Sequence, residues 1–415
     1  MKVLVIGGGG REHAIVWKLS QSPRITELYC APGNGGISSL AECIDIPATD
    51  LEGILHFAKQ QKIDLTVVAP DDPLALGLVD KLEKNGLRAF GPRQAAAAIE
   101  SSKVFAKELM NKYGIPSADY RCFDQYDDAI GYLNQIPFPV VIKADGLALG
   151  KGVIIASSRE EAENAIKAML LDHKFGEAGK RILIEEFITG PEVSILAFTD
   201  GTTIVPMVSS QDYKRAYDQD EGPNTGGMGA FSPSLHYTSE IAEYVEQNII
   251  RPTIHAMSKE GRLFQGVLYF GLMLTPSGPK VLEYNARFGD PEAQVVLPRL
   301  RTDLLEIMEA VIDQRLHQIE IAWDDKAAGC VVLASGGYPN SYQKGLPIDI
   351  KMQPECLLFH AGTKKTRQGL VTNGGRVLGI TALGDNLDEA FQKAYHQVDA
   401  VSFEGMHYRK DIGKK

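Results

Sequence analysis

An apolar run that meets four glycines in a row constrains the start of this chain. Lys2 to Ile6 reads KVLVI, and Gly7-Gly8-Gly9-Gly10 follows at once. A continuous apolar run is what a strand buried on both faces requires. Arg11 to Leu19 then has helical periodicity. Strand, glycine loop and helix aim backbone N–H groups and a helix N-terminus at one point, which suits a phosphate. A dinucleotide fits poorly. In the G-x-G-x-x-G register from Gly7 the third position is Glu12, and no acidic residue ends the next apolar run, Glu27 to Cys30. That run leads instead to a second glycine loop, Pro32-Gly33-Asn34-Gly35-Gly36.

The alternation continues with a helix over 51–61 and a buried strand over 65–68, which ends in Ala69-Pro70-Asp71-Asp72. Ligands of open α/β sheets sit at the carboxyl ends of strands, so Asp72 is a candidate for ribose hydroxyls. Either Asp serves equally well as a helix N-cap. Leu87 to Pro92 closes the unit, and residues 1–100 read as a doubly wound parallel-sheet domain.

The whole chain has 415 residues, room for several domains. Its net charge of −10 gives a nucleic acid no bulk attraction, so an anionic substrate must be met by local cations. Five scattered cysteines with no Cys-x-x-Cys pair indicate neither a disulfide framework nor a zinc site. No apolar run is long enough for a bilayer and no signal peptide is evident, so a cytoplasmic protein without a membrane partner is expected.

After a helix over 101–110, the run Pro139 to Ala144 is a strand, Gly146 to Gly152 a glycine loop, and Val153 to Ala156 a second strand. This is a hairpin flap and not a Walker loop, because no Ser or Thr follows Lys151. Its amides could close over a triphosphate, with Gly150, Lys151 and Gly152 at the tip and Lys143 as a point cation. The strand Ile182 to Glu186 runs into Phe187 and Ile188, so Glu185, Glu186, Phe187 and Ile188 can offer backbone groups to an adenine edge. Glu192 follows within reach of a ribose. A polar, glycine-rich stretch spans Ser209 to Arg215 and Gly222 to Gly229, and reads as a long functional loop. Gly226, Gly227 and Gly229 permit close backbone approach to a small substrate.

A helix over 241–257 precedes a hairpin whose strands run over 265–274 and 281–284. Side chains two apart on a strand share a face, so Glu283 and Asn285 stand side by side. A carboxylate beside an amide oxygen gives the hard donors that Mg²⁺ or Mn²⁺ takes. Arg287 supplies a cation, and Asp290-Pro291 breaks the strand. A helix over 303–314 follows. A last unit begins near Ala327, with strands at 330–334, 357–359 and 377–381 and a helix over 387–401. It reads as a domain that walls one side of a site.

The strings VIGGGGREHA, APGNGG, VIKADGLALGKGV, IEEFITGPEVS, QDYKR, GPNTGGMGAFSP and VLEYNARFGDPE, in this order, resemble the ATP-grasp superfamily and, within it, the phosphoribosylamine–glycine ligases (glycinamide ribonucleotide synthetases). The resemblance spans essentially the whole chain. It implies an α/β and α+β multidomain protein: an N-terminal α/β substrate domain (1–100), a small ATP-grasp lid (101–190), a larger subdomain with the metal site (191–322) and a C-terminal domain (323–415). It implies ATP between two small sheets, Mg²⁺ or Mn²⁺ on Glu283 and Asn285, Lys103 and Lys143 at the phosphates, and Glu192 at the ribose. The substrates would be glycine and 5-phosphoribosylamine, the latter near Gly9, Gly10 and Asn34. Asp212, Lys214, the Gly226-Gly227-Met228-Gly229 loop, Arg287 and Asp290 would line the reaction centre of a monomer or dimer. A second metal glutamate, common in the superfamily, would fall near Gly271, where this chain has none. The rivals are a biotin-carboxylase-like enzyme of the same superfamily and an NAD-dependent oxidoreductase or nucleotide sensor built on the first domain.

Overall fold

The computed structural model describes residues 1–148, 152–353 and 355–414. The expected flap residues Gly150 and Lys151 lie outside the described residues. The opening run forms the central strand Lys2–Gly7 of a five-stranded parallel sheet, in the order Glu42–Cys43, Glu27–Pro32, Lys2–Gly7, Leu65–Val68, Ala89–Phe90. Val3 to Ile6 have no exposed surface, as a strand covered on both faces requires. The helices Gly10–Leu19 and Leu51–Gln61 fall where the periodicity places them. Neither Asp71 nor Asp72 is an N-cap: Pro70 holds that position, and both acids sit in the first turn of the short helix Asp71–Ala75.

Two antiparallel four-stranded sheets follow. One has the order Tyr120–Phe123, Ile182–Glu186, Val140–Ala144, Val153–Ala156. The other has the order Ile204–Pro206, Glu192–Thr199, Gly266–Thr275, Gly278–Asn285. In the second sheet the hairpin register sets Gly271 opposite Glu283, with a bulge between Gly271 and Leu272. The expected helix at 101–110 is Lys103–Tyr113, and a separate helix, Gln94–Ser101, precedes it. Ser102 separates them, and its hydroxyl accepts the Phe105 N–H at 3.1 Å as an N-cap.

Two expectations are corrected. The stretch 209–229 is not a long loop. It contains the strands Gln211–Asp212, Arg215–Tyr217, Glu221–Asn224 and Gly229–Ser232. The first and last of these join Ala327–Ala334, Arg376–Gly384 and Leu357–His360 in one five-stranded sheet. The polar composition hid them: Gln211–Asp212 pairs with Gly229–Ser232 and Arg215–Tyr217 with Glu221–Asn224 inside the stretch, and Gly229–Ser232 pairs in addition with the distant Ala327–Ala334. The helix over 241–257 is also not uniform. It comprises Ser239–Val245, a π turn Glu246–Ile250, and Arg251–Lys259. Pro252 has no N–H and cannot continue an α ladder, and the wider turn accommodates it.

Candidate active site

The strand Gly278–Asn285 presents Glu283 to a cleft between the two four-stranded sheets. Glycine at position 271 makes room: a Cβ there would lie 3.1 Å from Glu283 Cγ. Desolvation in the cleft works against the charge of Glu283, and Lys214, Lys143, Lys103 and Arg287 outweigh it, holding the carboxyl below its ordinary value. Lys214 Nζ stands 3.8 Å from Glu283 and 2.9 Å from Glu192. Desolvation opposes the Lys214 charge, but Glu192, Asp212 and Glu283 hold its pKa well above the usual value. Lys103 donates to the Gly146 carbonyl at 3.1 Å, and its burial lowers its pKa.

Lys143 reaches the Leu282 carbonyl at 3.2 Å and pairs with Glu185 at 3.1 Å. Lys107, which sequence reasoning missed, pairs with the same Glu185 oxygen at 3.1 Å. The Glu185 side chain is thus buried between two lysines, and its other oxygen, Oε1, has no hydrogen-bond partner among the described residues. Beyond it, Glu186 is exposed and Phe187 and Ile188 are half-buried at the edge of the lid sheet. Gly152 is buried at the other end of this sheet, where its carbonyl accepts the Ala144 N–H at 2.8 Å.

Arg287 holds the metal-type pair in place. It donates to Asn285 Oδ1 at 3.1 Å and to the Phe288 carbonyl at 3.1 Å, and it pairs with Glu100 at 2.8 Å. The second Glu100 oxygen accepts the Ala286 N–H at 2.7 Å. Glu283 and Asn285 supply two oxygens on one face, and no group of three or more His, Cys, Asp or Glu suited to a metal occurs among the described residues. That set fits Mg²⁺, which takes one or two carboxylates and completes its shell with substrate phosphates and water.

Asp290 joins three parts of the chain. Arg376, from the C-terminal sheet, pairs with its carboxylate at 3.2 Å and donates to its backbone carbonyl at 2.7 Å. Gln294 donates to the other carboxylate oxygen at 2.7 Å. Cβ atoms added at Gly9 and Gly10 would lie 3.4 and 3.5 Å from Asp290 oxygens, so the first glycine loop rests on this residue. Desolvation opposes the Asp290 charge, and Arg376 and Arg11 hold its pKa low. Arg376 also donates to the Gly226 carbonyl at 2.5 Å. Gly227 has φ +112°, and a Cβ there would meet Pro291 at 2.4 Å. Asp212, like the buried Glu100, is shifted the other way. Its desolvation, with Glu292, Glu192 and Glu283 nearby, raises its pKa well above the carboxylate range despite Lys214.

Four expected ligand positions have the following surroundings. Asn34 has its whole side chain engaged by protein. Nδ2 donates to the carbonyls of Gly8 (2.9 Å) and His360 (2.8 Å), and Oδ1 accepts the N–H groups of Gly36 and Ile37 (both 3.0 Å). The side chain thus organises the loops. Met228 has no exposed surface, and its N–H and carbonyl are bonded to Tyr213 and Val332. Gly229 is buried in a strand paired with Val331. Asp72 is exposed at the rim, while Asp71 is the neighbour whose charge reaches Arg11. Arg376, Glu100, Glu292 and Lys107 gave no local signal, because each acts on residues far away in the sequence.

Comparison with known proteins accounts for this arrangement. Family models match in three blocks: the N domain of phosphoribosylglycinamide synthetase over 1–100, its ATP-grasp (A) domain over 101–293 and its C domain over 328–415. The chain is 51% identical over 413 residues to a phosphoribosylamine–glycine ligase of Caldanaerobacter subterraneus subsp. tengcongensis, covering 99% of each. It superposes on the crystal structure of the Thermotoga maritima phosphoribosylamine–glycine ligase with TM-score 0.87 at 34% identity, covering 99% of this chain and 100% of that one. A Campylobacter jejuni biotin carboxylase shares the fold alone, with TM-score 0.77 at 14% identity over 100% of this chain and 94% of that one. The cleft is therefore that of an ATP-utilising fold, and no helix is long and apolar enough to cross a membrane among the described residues. With all three domains matched in order and half its residues shared with such a ligase, the chain belongs to the phosphoribosylglycinamide synthetase family.

Proposed function

We propose that this chain joins glycine to 5-phosphoribosylamine with ATP, giving glycinamide ribonucleotide, ADP and phosphate. The observation that carries the reading, beyond family membership, is the charge around Glu283. Four cations (Lys103, Lys143, Lys214 and Arg287) act on one carboxylate in a chain of net charge −10. Three of them also pair with a second carboxylate (Lys143 with Glu185, Lys214 with Glu192, Arg287 with Glu100), while Lys103 has no carboxylate within 4.0 Å among the described residues and is the cation that suits a polyphosphate.

The chemistry follows from the reactants. Glycine's carboxylate is a poor electrophile. An oxygen of that carboxylate attacks the γ-phosphorus of ATP, the bond to ADP breaks, and glycyl phosphate forms. The amine of phosphoribosylamine then attacks the acyl carbon, the C–O bond to phosphate breaks, and the amine gives up a proton. Lys103 and Lys143 would meet the phosphates, and Lys214 would face the transferring group. Magnesium or manganese, held by Glu283 and Asn285, would neutralise charge on the phosphates. Asp212, whose burial raises its pKa above the carboxylate range, suits the proton leaving the amine. Glu192 and the segment Glu185 to Ile188 would hold the nucleoside; the Ile188 N–H has no backbone partner among the described residues, as an adenine contact needs. Gly9 and Gly10, resting on Asp290, would bring the phosphoribosyl amine to the acyl carbon. Residues 146–152 would close over the acyl phosphate and keep water out.

The test is phosphate release with glycine and phosphoribosylamine omitted in turn. Release is expected only when both are present. Release that persists without glycine, or that depends on bicarbonate, would sink this reading in favour of a carboxylase.

A further inference from the structure

Lys107 and Lys143 share one carboxylate oxygen, but they are not placed alike. Lys107 lies on the helix Lys103–Tyr113, one turn after Lys103, and its side chain is 3% exposed. It pairs with Glu185 Oε2 at 3.1 Å, donates to the Ala118 carbonyl at 3.1 Å, and stands over the Tyr120 ring, 5.5 Å from its centroid. Lys143 lies on the strand Val140–Ala144. It bonds the same Glu185 oxygen at 3.1 Å and the Leu282 carbonyl, next to Glu283, at 3.2 Å. A lysine ammonium has three N–H donors, and the third of Lys143 has no partner among the described residues. Its charge also acts on Glu283 and on Lys103, so it faces the cleft that they line.

Two ammonium groups on one carboxylate leave one positive charge over. Asp119, another acid whose charge reaches Lys107, is exposed, and water screens it. Without Lys107, Glu185 and Lys143 would form a neutral pair, and a phosphate would have to compete with Glu185 for the lysine. With Lys107 present, Glu185 is shared, and Lys143 keeps both a net charge and a donor for the cleft. We propose that Lys107 is a positioning residue for the nucleotide: by sharing Glu185 it leaves the charge of Lys143 to the phosphates of ATP. This rests on the ATP site of the ligase reading, and it names a residue that sets the charge of that site through another.

The test is equilibrium binding of ATP and of adenosine to the full chain in the presence of magnesium. Adenosine carries the base and the ribose but no charge, so the ratio of the two dissociation constants reads the phosphate contacts. Lys107→Met leaves Glu185 and Lys143 as a balanced pair, so no buried ion is stranded. ATP is expected to bind about tenfold more weakly or worse, the effect of one unit charge at roughly 10 Å in a protein-like medium, while adenosine stays within about twofold. Adding Glu185→Gln removes the anion and returns the charge of Lys143, and the ratio is expected to recover to within about threefold of the unaltered chain. A purely structural Lys107 would weaken both ligands together and gain nothing from the second substitution. If Lys107→Met does not fold, Glu185→Gln alone gives the readout: it frees both lysines, and ATP is expected to tighten relative to adenosine. An unchanged ratio in the single variant that folds, an equal loss of both ligands, or no recovery in the double variant overturns the role of Lys107 and leaves the ligase reading intact. An unaltered chain that binds ATP no more tightly than adenosine overturns both.

Discussion

Arg376 makes bonds that a lysine could not reproduce. One guanidinium reaches the Asp290 carboxylate, the Asp290 carbonyl and the Gly226 carbonyl. A planar fork can do this and a point charge cannot. Arg376→Lys keeps Asp290 paired but releases the glycine-rich loop. Its kcat/KM is expected to fall about 10- to 100-fold, the loss of one or two charge-assisted bonds. The melting temperature should move by only a few degrees. Unchanged kinetics would show that the corner at Asp290 and Pro291 holds itself. Glu185 invites the opposite experiment. Glu185→Gln leaves Lys107 and Lys143 buried without their anion, and a denaturant midpoint should report a loss of roughly 3–5 kcal/mol. Adding Lys107→Met should recover part of it, and no recovery would mean that the two lysines are not competing for one charge.

The hairpin that carries Glu283 depends on an absence. Gly271 faces Glu283 across the register, and its missing side chain lets the carboxylate lie over the sheet. Gly271→Ala introduces a contact at 3.1 Å. Activity is expected to fall at least about tenfold, with a higher requirement for magnesium, at a stability cost of about 1–3 kcal/mol. Full activity at ordinary magnesium would show that Glu283 needs no such room. This hairpin was legible in the sequence because its signals are local: an apolar run, a turn, and a period of two along the second strand. The opening strand, glycine loop and helix were legible for the same reason. The strands between Gln211 and Ser232 were not. Their composition is that of a loop: Gly229–Ser232 is a strand because the distant Ala327–Ala334 pairs with it, and Arg215–Tyr217 with Glu221–Asn224 forms a short polar hairpin of its own. Site residues followed the same division. Glu283 and Asn285 announce themselves two apart on a strand, whereas Glu100 and Arg376 mean nothing until folding brings them to Arg287 and Asp290. The bonds of Asn34 to the loops were not legible, because a polar residue in a glycine loop looks the same whether it binds a ligand or the loop itself.

At the scale of the molecule, the first sheet domain and the C-terminal sheet meet through two histidines. His13 lies on the helix Gly10–Leu19 and His360 ends the strand Leu357–His360. The His360 N–H donates to His13 Nδ1 at 2.7 Å, so that nitrogen must be unprotonated. The rings lie 5.5 Å apart, and Asn34 ties the His360 carbonyl to the glycine loops. Burial, with the neighbouring His360, pushes the pKa of His13 down to about 3, and burial pushes that of His360 to about 4. Unfolded histidine titrates near 6.5. Between about 6.5 and these lower values the unfolded chain binds more protons than the folded one, so stability is complete above about 6.5 and falls as the pH drops. The slope approaches about 1.4 kcal/mol per pH unit for each ring, so a shift from pH 7 to pH 5 costs at most roughly 2 kcal/mol per ring. His13→Asn offers Oδ1 to the same N–H without titrating. Denaturant unfolding at pH 7 and pH 5 should then show the difference between the two pH values reduced by up to roughly 2 kcal/mol, His13's share, relative to the unaltered chain. An identical pH dependence in the two proteins would mean that this junction opens before it protonates, and that the contact between the first and last domains contributes nothing to the acid sensitivity of the fold.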